Sequence, residues 1–444
     1  MNKVLVLGAG MVAKPIVEYL LDNGFSVNLA SRTVSKSEEI IKNHPNGKAI
    51  ALKVADKEAL IALIKDADLT VSLLPYKFHV EVAKICLEYG KPMVTTSYVK
   101  KEMQDLDEQA RGKGVILLNE IGLDPGIDHM SAMRIIDAVK GKGGKIEKFY
   151  SLCGALPAPE AADNPFKYKF SWSPRGVILA SKNDALYLKD GEQVAINPKD
   201  LFKDIFPFTF KGLSDFIVYP NRDSISYIDI YGLEGISTIY RGTFRYKGWC
   251  ESLDAMKTLD LLSDKDDNYS GMKYSDLIRN SIKKSEGSLQ EQTASYLGID
   301  VDAIAIQSLE WLGLFNDTRI PDNYRTAFDI IADLMLSKMM LGKNERDIIA
   351  LQHLFLACYE DGSREVISSR MVDYGTPATD TSISRTVALP AAIAVKLILE
   401  KKITITGVHR PVKKEIYEPV LDELETMGIK MEEEFGLPES EMIS

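Results

Sequence analysis

The hydrophobic and polar positions of this chain fall into a few distinct textures. Residues 3–7, KVLVL, form a short apolar run rich in valine and leucine, the pattern of a buried strand. It ends at Gly8-Ala9-Gly10-Met11-Val12-Ala13 and leads into PIVEYLLDNG, whose apolar residues recur at helical spacing, so the opening predicts strand, tight turn, helix. Gly24 is the expected C-cap of that helix, and FSVNLASRT predicts a second strand. Further strands are predicted in KAIALKV, DLTVSLLP, PMVTTS and GVILLNE, with helical patterns over 57–66, 79–89 and 101–112 between them. Strand alternating with helix predicts an α/β fold, a doubly wound parallel sheet over about residues 1–124.

From about 145 to 250 the texture becomes aromatic and β-branched, in KFYSLCG, FIVYP, SISYIDIYG and TIYRGTFRYKG, with Pro, Gly, Asn and Asp turns between. A largely antiparallel sheet is predicted there. Residues 252–350 carry apolar residues at three- and four-residue spacing, as in AFDIIADLMLSKMM, and predict a small helical domain. Short strand-like segments return over 353–373, and SRTVALPAAIAVKLILEKKI reads as an apolar helix that packs back on an earlier sheet.

Composition narrows the function classes. A chain of 444 residues exceeds the size at which one core stops growing, so two or three domains are expected. No uninterrupted apolar run reaches the roughly 18 residues of a membrane span, and the start of the chain has no room for a signal peptide, so a soluble, cytoplasmic protein with no membrane partner is expected. The net charge of -10 argues against nucleic acid as a partner and leaves room only for local basic pockets. Cys86, Cys153, Cys250 and Cys358 lie far apart, and there are five histidines, so free thiols and no metal site are expected.

The first turn carries the cofactor chemistry. Gly8 permits the turn, Gly10 lets the backbone approach a pyrophosphate, and Ala13 allows close packing of helix on sheet, the signature of a Rossmann dinucleotide site. An acidic residue about 20 positions further on would favour NAD by accepting from the ribose 2′-hydroxyl. The second strand ends instead in Ser31-Arg32-Thr33, two hydroxyls and a guanidinium that suit a 2′-phosphate, so NADP is expected. A solvent-exposed loop arginine is the plainer alternative.

At the carboxyl ends of later strands the sequence offers LLPYKFH, TTSY and NEIGLDPGIDHM. Asp124-Pro125-Gly126 predicts a turn and Asp128 the N-cap of the helix after it, which leaves Asp124 open between a structural and a functional role. His79 and His129 each follow a turn at a helix start and are expected to be structural. Arg222 in YPNRDS and Arg245 in GTFRYKG stand among aromatics, where they are either surface residues or forks for a carboxylated ligand.

Several strings together carry a family likeness: LGAGMV, SRT, SLLPY, TTSY, GLDPGIDHM, CGALPAPEAADNP, YKFSWSPRGV, YPNRDS, RGTFRYKGW, EWLGL and KEIYEPVL. Over nearly its whole length the chain resembles the glutamate-forming saccharopine dehydrogenases, or saccharopine reductases. The resemblance implies a Rossmann domain over 1–124 and about 385–444. It also implies a mixed α/β substrate and dimerisation domain over 125–251 and about 350–384, an all-helical domain over 252–349, and a homodimer. It implies NADP-dependent, reversible oxidation of saccharopine to an imine, hydrolysed to L-glutamate and L-2-aminoadipate 6-semialdehyde, in lysine metabolism.

Matched motif by motif, the resemblance implies cofactor contacts at Gly8, Gly10, Met11, Val12, Ser31, Arg32, Thr33, Leu74, Thr96, Leu123, Pro125 and Ser173. Substrate contacts are implied at Ser97, Tyr98, Asp124, Arg222, Thr243, Phe244 and Arg245. Phe244 and Ala155 stand where relatives commonly have leucine and glycine. The acid/base candidates are Asp124 and Tyr98, with Cys153 as a third residue. Two other readings stay open at this stage: a related amine dehydrogenase such as a carboxynorspermidine dehydrogenase, and a non-catalytic NADP-binding sensor.

Overall fold

The structure, a computed structural model, describes residues 1–283 and 286–443. The KVLVL run becomes β1 (Lys3–Leu7), with Val4 to Leu7 fully buried because the sheet is covered on both faces. Around it stand β2 (Ser26–Ser31), β3 (Gly47–Ala51), β4 (Leu69–Ser72), β5 (Met93–Val94) and β6 (Ile116–Leu118). All are parallel, in the order β6-β5-β4-β1-β2-β3, and a strand from far along the chain, Gly407–His409, adds beside β6. The chain reverses direction across the sheet between β1 and β4, which opens a crevice at their carboxyl ends, where ligands of doubly wound folds sit.

The second sheet has ten strands. At its centre Lys145–Pro157 pairs parallel with Thr238–Arg245, a departure from the antiparallel expectation, while its other neighbour, Asp347–Cys358, is antiparallel. Asp347–Cys358 and Arg364–Tyr374 are also longer than the short segments anticipated over 353–373. Asp347 to Ala357 are buried throughout, so no alternation marks the strand, and Gln352 and His353 interrupt its apolar run.

Four helices, Ala13–Asp22, Ile127–Gly141, Ser382–Leu399 and Lys414–Thr426, fill the space between the sheets. Their apolar stripes join Val4, Ile16, Ile135, Ile349, Ile393 and Val420 in one core. Ser382–Leu399 is long and apolar enough to cross a membrane by length and composition, yet 67% of it is buried inside the protein. Its first turn is held by buried Asp347, which accepts from Ser382 N at 2.7 Å and Ile383 N at 3.0 Å.

The far face of the second sheet carries the helical region, including Trp249–Thr258, Ile304–Leu312 and Ala327–Met339, packed through Phe166, Trp249, Leu309 and Ile331. The C-terminal segment divides between the two sheets. Gly407–His409 extends the first, but Glu432–Leu437 pairs with Arg364–Tyr374 in the second, which corrects the expected return of all of 385–444 to the first domain.

Candidate active site

Gly8 ends β1 at φ 110°, and a Cβ there would stand 3.0 Å from the Leu73 carbonyl oxygen at the end of β4, so this position requires glycine. A Cβ on Gly10 would meet nothing within 4 Å, and Gly10 and Met11 are exposed at the mouth of the crevice with Val12 half-buried behind them. At the end of β2 the Ser31 hydroxyl donates to the Thr33 carbonyl at 2.8 Å and lies 2.9 Å from the Ser37 hydroxyl. Arg32 and Thr33 are exposed, and Arg32 makes no ion pair among the described residues. Leu74 and Thr96 are half-buried beyond β4 and β5, and Leu123 and Pro125 are buried in the turn after β6.

Ser173 stands apart from the first sheet, exposed before the helix Pro174–Ala180. It lies two residues beyond Ser171, and Ser171 and Met11 line one hollow of about 290 Å³ that joins the glycine turn to the second sheet's side.

The loop after β6 turns back sharply into Ile127–Gly141. Gly126 has φ 150°, and a Cβ there would lie 2.0 Å from the Gly122 carbonyl oxygen. Asp128 is not the N-cap that the sequence suggested. The helix begins at Ile127 after Gly126, and Asp128 lies in its first turn, accepting from Gly126 N at 2.6 Å. Asp128 is buried because its second oxygen meets an arginine from the other sheet.

That arginine is Arg241, 2% exposed. Its Nη2 donates to Asp124 Oδ1 and, at 3.1 Å, to Asp128 Oδ2, and its guanidinium stacks over the Tyr227 ring at 4.6 Å. The Tyr98 hydroxyl donates to the same Asp124 oxygen at 3.3 Å and stands 3.4 Å from Arg241 Nη2.

This environment separates the three acid/base candidates. Burial raises the Asp124 carboxyl from its ordinary value, against the opposing pull of Arg241 and with the like charge of Asp128 adding to the rise. Burial and the Asp124 charge push the Tyr98 phenol well above 10, so it is a neutral donor. Burial and both aspartates likewise hold the Cys153 thiol protonated. Of the three, Asp124 is the carboxyl group and the one paired directly with the Arg241 guanidinium.

The two histidines are buried and hydrogen-bonded. His79 bridges the Ser72 and Ser97 hydroxyls at 2.8 Å each, and burial brings it down to about 4, so it is neutral and fixes Ser97. His129 meets Glu120 Oε2 at 2.9 Å and the Tyr231 hydroxyl at 2.5 Å. Glu120 also accepts from Arg410 Nε at 2.9 Å and Val99 N at 2.8 Å. Burial alone would raise Glu120, but the hydrogen bond and charge of His129, with Arg410, bring it down to about 2.

Arg222 is exposed at the rim, its guanidinium 5.5 Å from the Tyr98 ring centre. Thr243 is half-buried beside Cys153 in the paired strand, and Arg245 is 5% exposed. Arg245 Nη1 donates to the Phe244 carbonyl at 2.8 Å, its Nε has no partner, and no carboxylate pairs with it among the described residues. Phe244, between Thr243 and Arg245, presents only its backbone to that face. Its side chain points to the opposite face, fully buried against Phe208, Phe210 and Phe216, because neighbours on a strand alternate.

Reading the sequence missed Arg241, Glu120 and Arg410. Strand alternation would have found Arg241, which lies two residues before Thr243 and four before Arg245, on the same face. Nothing local marks Arg410, 290 residues from Glu120.

Comparison with known proteins matches this arrangement. Residues 4–118 fit the saccharopine dehydrogenase NADP binding domain, and residues 122–429 fit the saccharopine dehydrogenase C-terminal domain. The chain belongs to the saccharopine dehydrogenase family. A saccharopine dehydrogenase [NADP(+), L-glutamate-forming] of Pyricularia oryzae is 37% identical, over 97% of this chain and 98% of its own. That of Schizosaccharomyces pombe is 38% identical, over 98% and 99%. Apo saccharopine dehydrogenase (L-Glu forming) from Saccharomyces cerevisiae superposes with a TM-score of 0.89 at 35% identity, over 98% of this chain and 100% of its own.

The NADP-binding match covers β1 to β6, and the crevice residues suit that cofactor: open space at Gly10 for a pyrophosphate, and an unpaired Arg32 beside two hydroxyls for a 2′-phosphate. Among the described residues no group of three or more His, Cys, Asp or Glu is placed to hold a metal ion. Cys86, Cys153, Cys250 and Cys358 are free thiols.

Proposed function

We propose that this chain is an NADP-dependent saccharopine dehydrogenase of the glutamate-forming type. It oxidises the secondary amine of saccharopine, whose imine is hydrolysed to L-glutamate and L-2-aminoadipate 6-semialdehyde, in lysine metabolism. One observation carries the substrate assignment beyond the family match. The site has a buried guanidinium, Arg245, with no carboxylate partner among the described residues, and a carboxyl group, Asp124, whose side chain is still 16% exposed. A ligand carrying carboxylates and an ammonium complements both groups.

NADP⁺, when bound, supplies the acceptor for a hydrogen and its electron pair from the carbon that becomes the aldehyde. The chain's residues prepare the amine for that transfer. Asp124, as carboxylate, takes the proton from the substrate ammonium and frees the nitrogen lone pair. Water then adds to the imine carbon, and its proton passes to the departing glutamate nitrogen as the carbon–nitrogen bond breaks. Tyr98 and Cys153, both held protonated, orient these groups as hydrogen-bond donors. Arg222 and Arg245 hold substrate carboxylates, with Ser97, fixed by His79, and Thr243 at the same substrate. Gly8, Gly10, Met11, Val12, Ser31, Arg32, Thr33, Leu74, Thr96, Leu123, Pro125 and Ser173 hold the cofactor. The backbone of Phe244, not its ring, lines the site.

The decisive assay follows NADPH absorbance on addition of saccharopine and NADP⁺ to the purified protein. NADPH formation together with stoichiometric glutamate supports the reading, and no saccharopine-dependent signal overturns it. A homodimer and cytoplasmic residence belong to the same proposal. Light scattering tests the first, with a monomeric mass the contrary result, and localisation of the tagged chain tests the second.

A further inference from the structure

Three arginines converge on this site in different states. Arg222 and Arg245 have no carboxylate partner among the described residues, so both are free for a ligand. Arg241 is not. Its Nη2 already contacts Asp124, Asp128 and the Tyr98 hydroxyl, and Tyr227 covers its flat face. A substrate carboxylate that took Nη2 would have to release two buried acids, which would be costly.

We propose that Arg241 is a positioning residue for the reaction, joining Asp124 to Asp128 across the two sheets and keeping Asp124 a carboxylate aimed at the reacting amine. The inference rests on the proposed function and assigns the control of its base.

The geometry gives each partner a direction. Asp128 is anchored independently, by Gly126 N at 2.6 Å in the first turn of its helix, so it fixes Arg241 from the side away from the cleft. Asp124, 16% exposed at its side chain, is the member that still faces solvent. Arg241 favours ionised Asp124, while the like charge of Asp128 disfavours it.

The other groups facing Asp124 are Tyr98 from its loop, His129 from the helix, Cys153 and His353 from the central strands, and Tyr227 behind Arg241. Arg222 sits at the rim over Tyr98. Burial keeps His353 down at about 3 and therefore neutral, and Tyr98 and Cys153 stay protonated. Arg241 is thus the cation that contacts Asp124 directly.

The experiment compares Arg241→Gln, Arg241→Lys and Asp128→Asn for the pH dependence of kcat/KM and kcat with saccharopine, and for NADP⁺ binding. Arg241→Gln should move the acidic limb of kcat/KM upward by about one unit or more, because the ionised form loses its partner. Asp128→Asn should move that limb downward, because a like charge is removed. Arg241→Lys should fall between Arg241→Gln and wild type in kcat, since it restores charge without the fork. NADP⁺ affinity is measured alongside to separate any movement of the Leu123–Pro125 loop from the effect on the base. If Arg241→Gln and Asp128→Asn shift the limb in the same direction, or neither shifts it, the proposal is wrong.

Should Arg241→Gln fail to fold, Asp128→Asn decides the question: a downward shift of the acidic limb supports the proposal, and an unmoved or raised limb overturns it. A substrate-free infrared titration of the Asp124 carboxyl, assigned through Asp124→Asn, separates this proposal from the substrate assignment. Opposite shifts there support the role of Arg241 even in a protein that does not turn over saccharopine, and coincident titrations overturn it.

Discussion

The Arg245 guanidinium lies 5.0 Å from the centre of the Tyr168 ring and has no carboxylate partner among the described residues. A buried charge without a counter-ion costs stability, offset only in part by the rings of Tyr168, Tyr219 and Trp249 and one carbonyl. Arg245→Met should therefore leave the melting temperature unchanged or raised while the KM for saccharopine rises at least tenfold. A melting temperature that falls together with unchanged KM would mean that Arg245 is a structural residue.

Arg32 is exposed and unpaired at the end of β2, where its charge would serve the 2′-phosphate. A charge-assisted hydrogen bond contributes roughly 1.5–3 kcal/mol, so Arg32→Ala should weaken NADP⁺ binding by about 10- to 100-fold. NAD⁺ binding should hardly change. Calorimetry with both nucleotides checks this, and an unaltered NADP⁺/NAD⁺ ratio excludes the clamp.

Gly126 cannot carry a side chain where it stands, since a Cβ would lie 2.0 Å from the Gly122 oxygen at φ 150°. Gly126→Ala should open the turn that aims Asp124 and Asp128, lowering kcat by orders of magnitude and the melting temperature by several degrees. Differential scanning fluorimetry and a saccharopine assay read both effects. An active, equally stable variant would refute the geometry of this loop.

Glu120, although buried, is brought down to about 2 from its ordinary 4.5 by His129 and Arg410. Its folded value lies below its unfolded one, so its contribution to stability is complete above pH 4.5 and is lost as the pH falls towards about 2. Glu120→Gln should remove that dependence, which amounts to on the order of 2–3 kcal/mol. In urea titrations the variant should lose less stability than wild type between those two pH values, and parallel losses would contradict the assignment.

Much of the first domain was legible because its signals are local. The run KVLVL, the turn from Gly8 to Ala13 and the helical repeat after it occupy neighbouring positions, and backbone sterics at Gly8 act over a few residues. The charged centre was less legible. Asp128 has the sequence of an N-cap, and only the approach of Arg241, 113 residues away, shows why its carboxylate is buried. The orientation of Phe244 was not legible either, because a motif match records a position and not a face, whereas the pleat sends its ring to the opposite side from Thr243 and Arg245. The strand Asp347–Cys358 lacked the two-residue alternation because both of its faces are covered.

By itself the sequence determined the doubly wound sheet, the glycine turn after β1, the exposed Arg32 at the end of β2 and, through its longer strings, the family. Each depends on the chemistry of short segments. Tertiary structure alone decided which arginine is committed to Asp124 and which is left free, which way each strand residue faces, and that Arg410 closes on Glu120. Those outcomes depend on desolvation and charge pairing between segments that the chain brings together only when folded, and such energies have no local record.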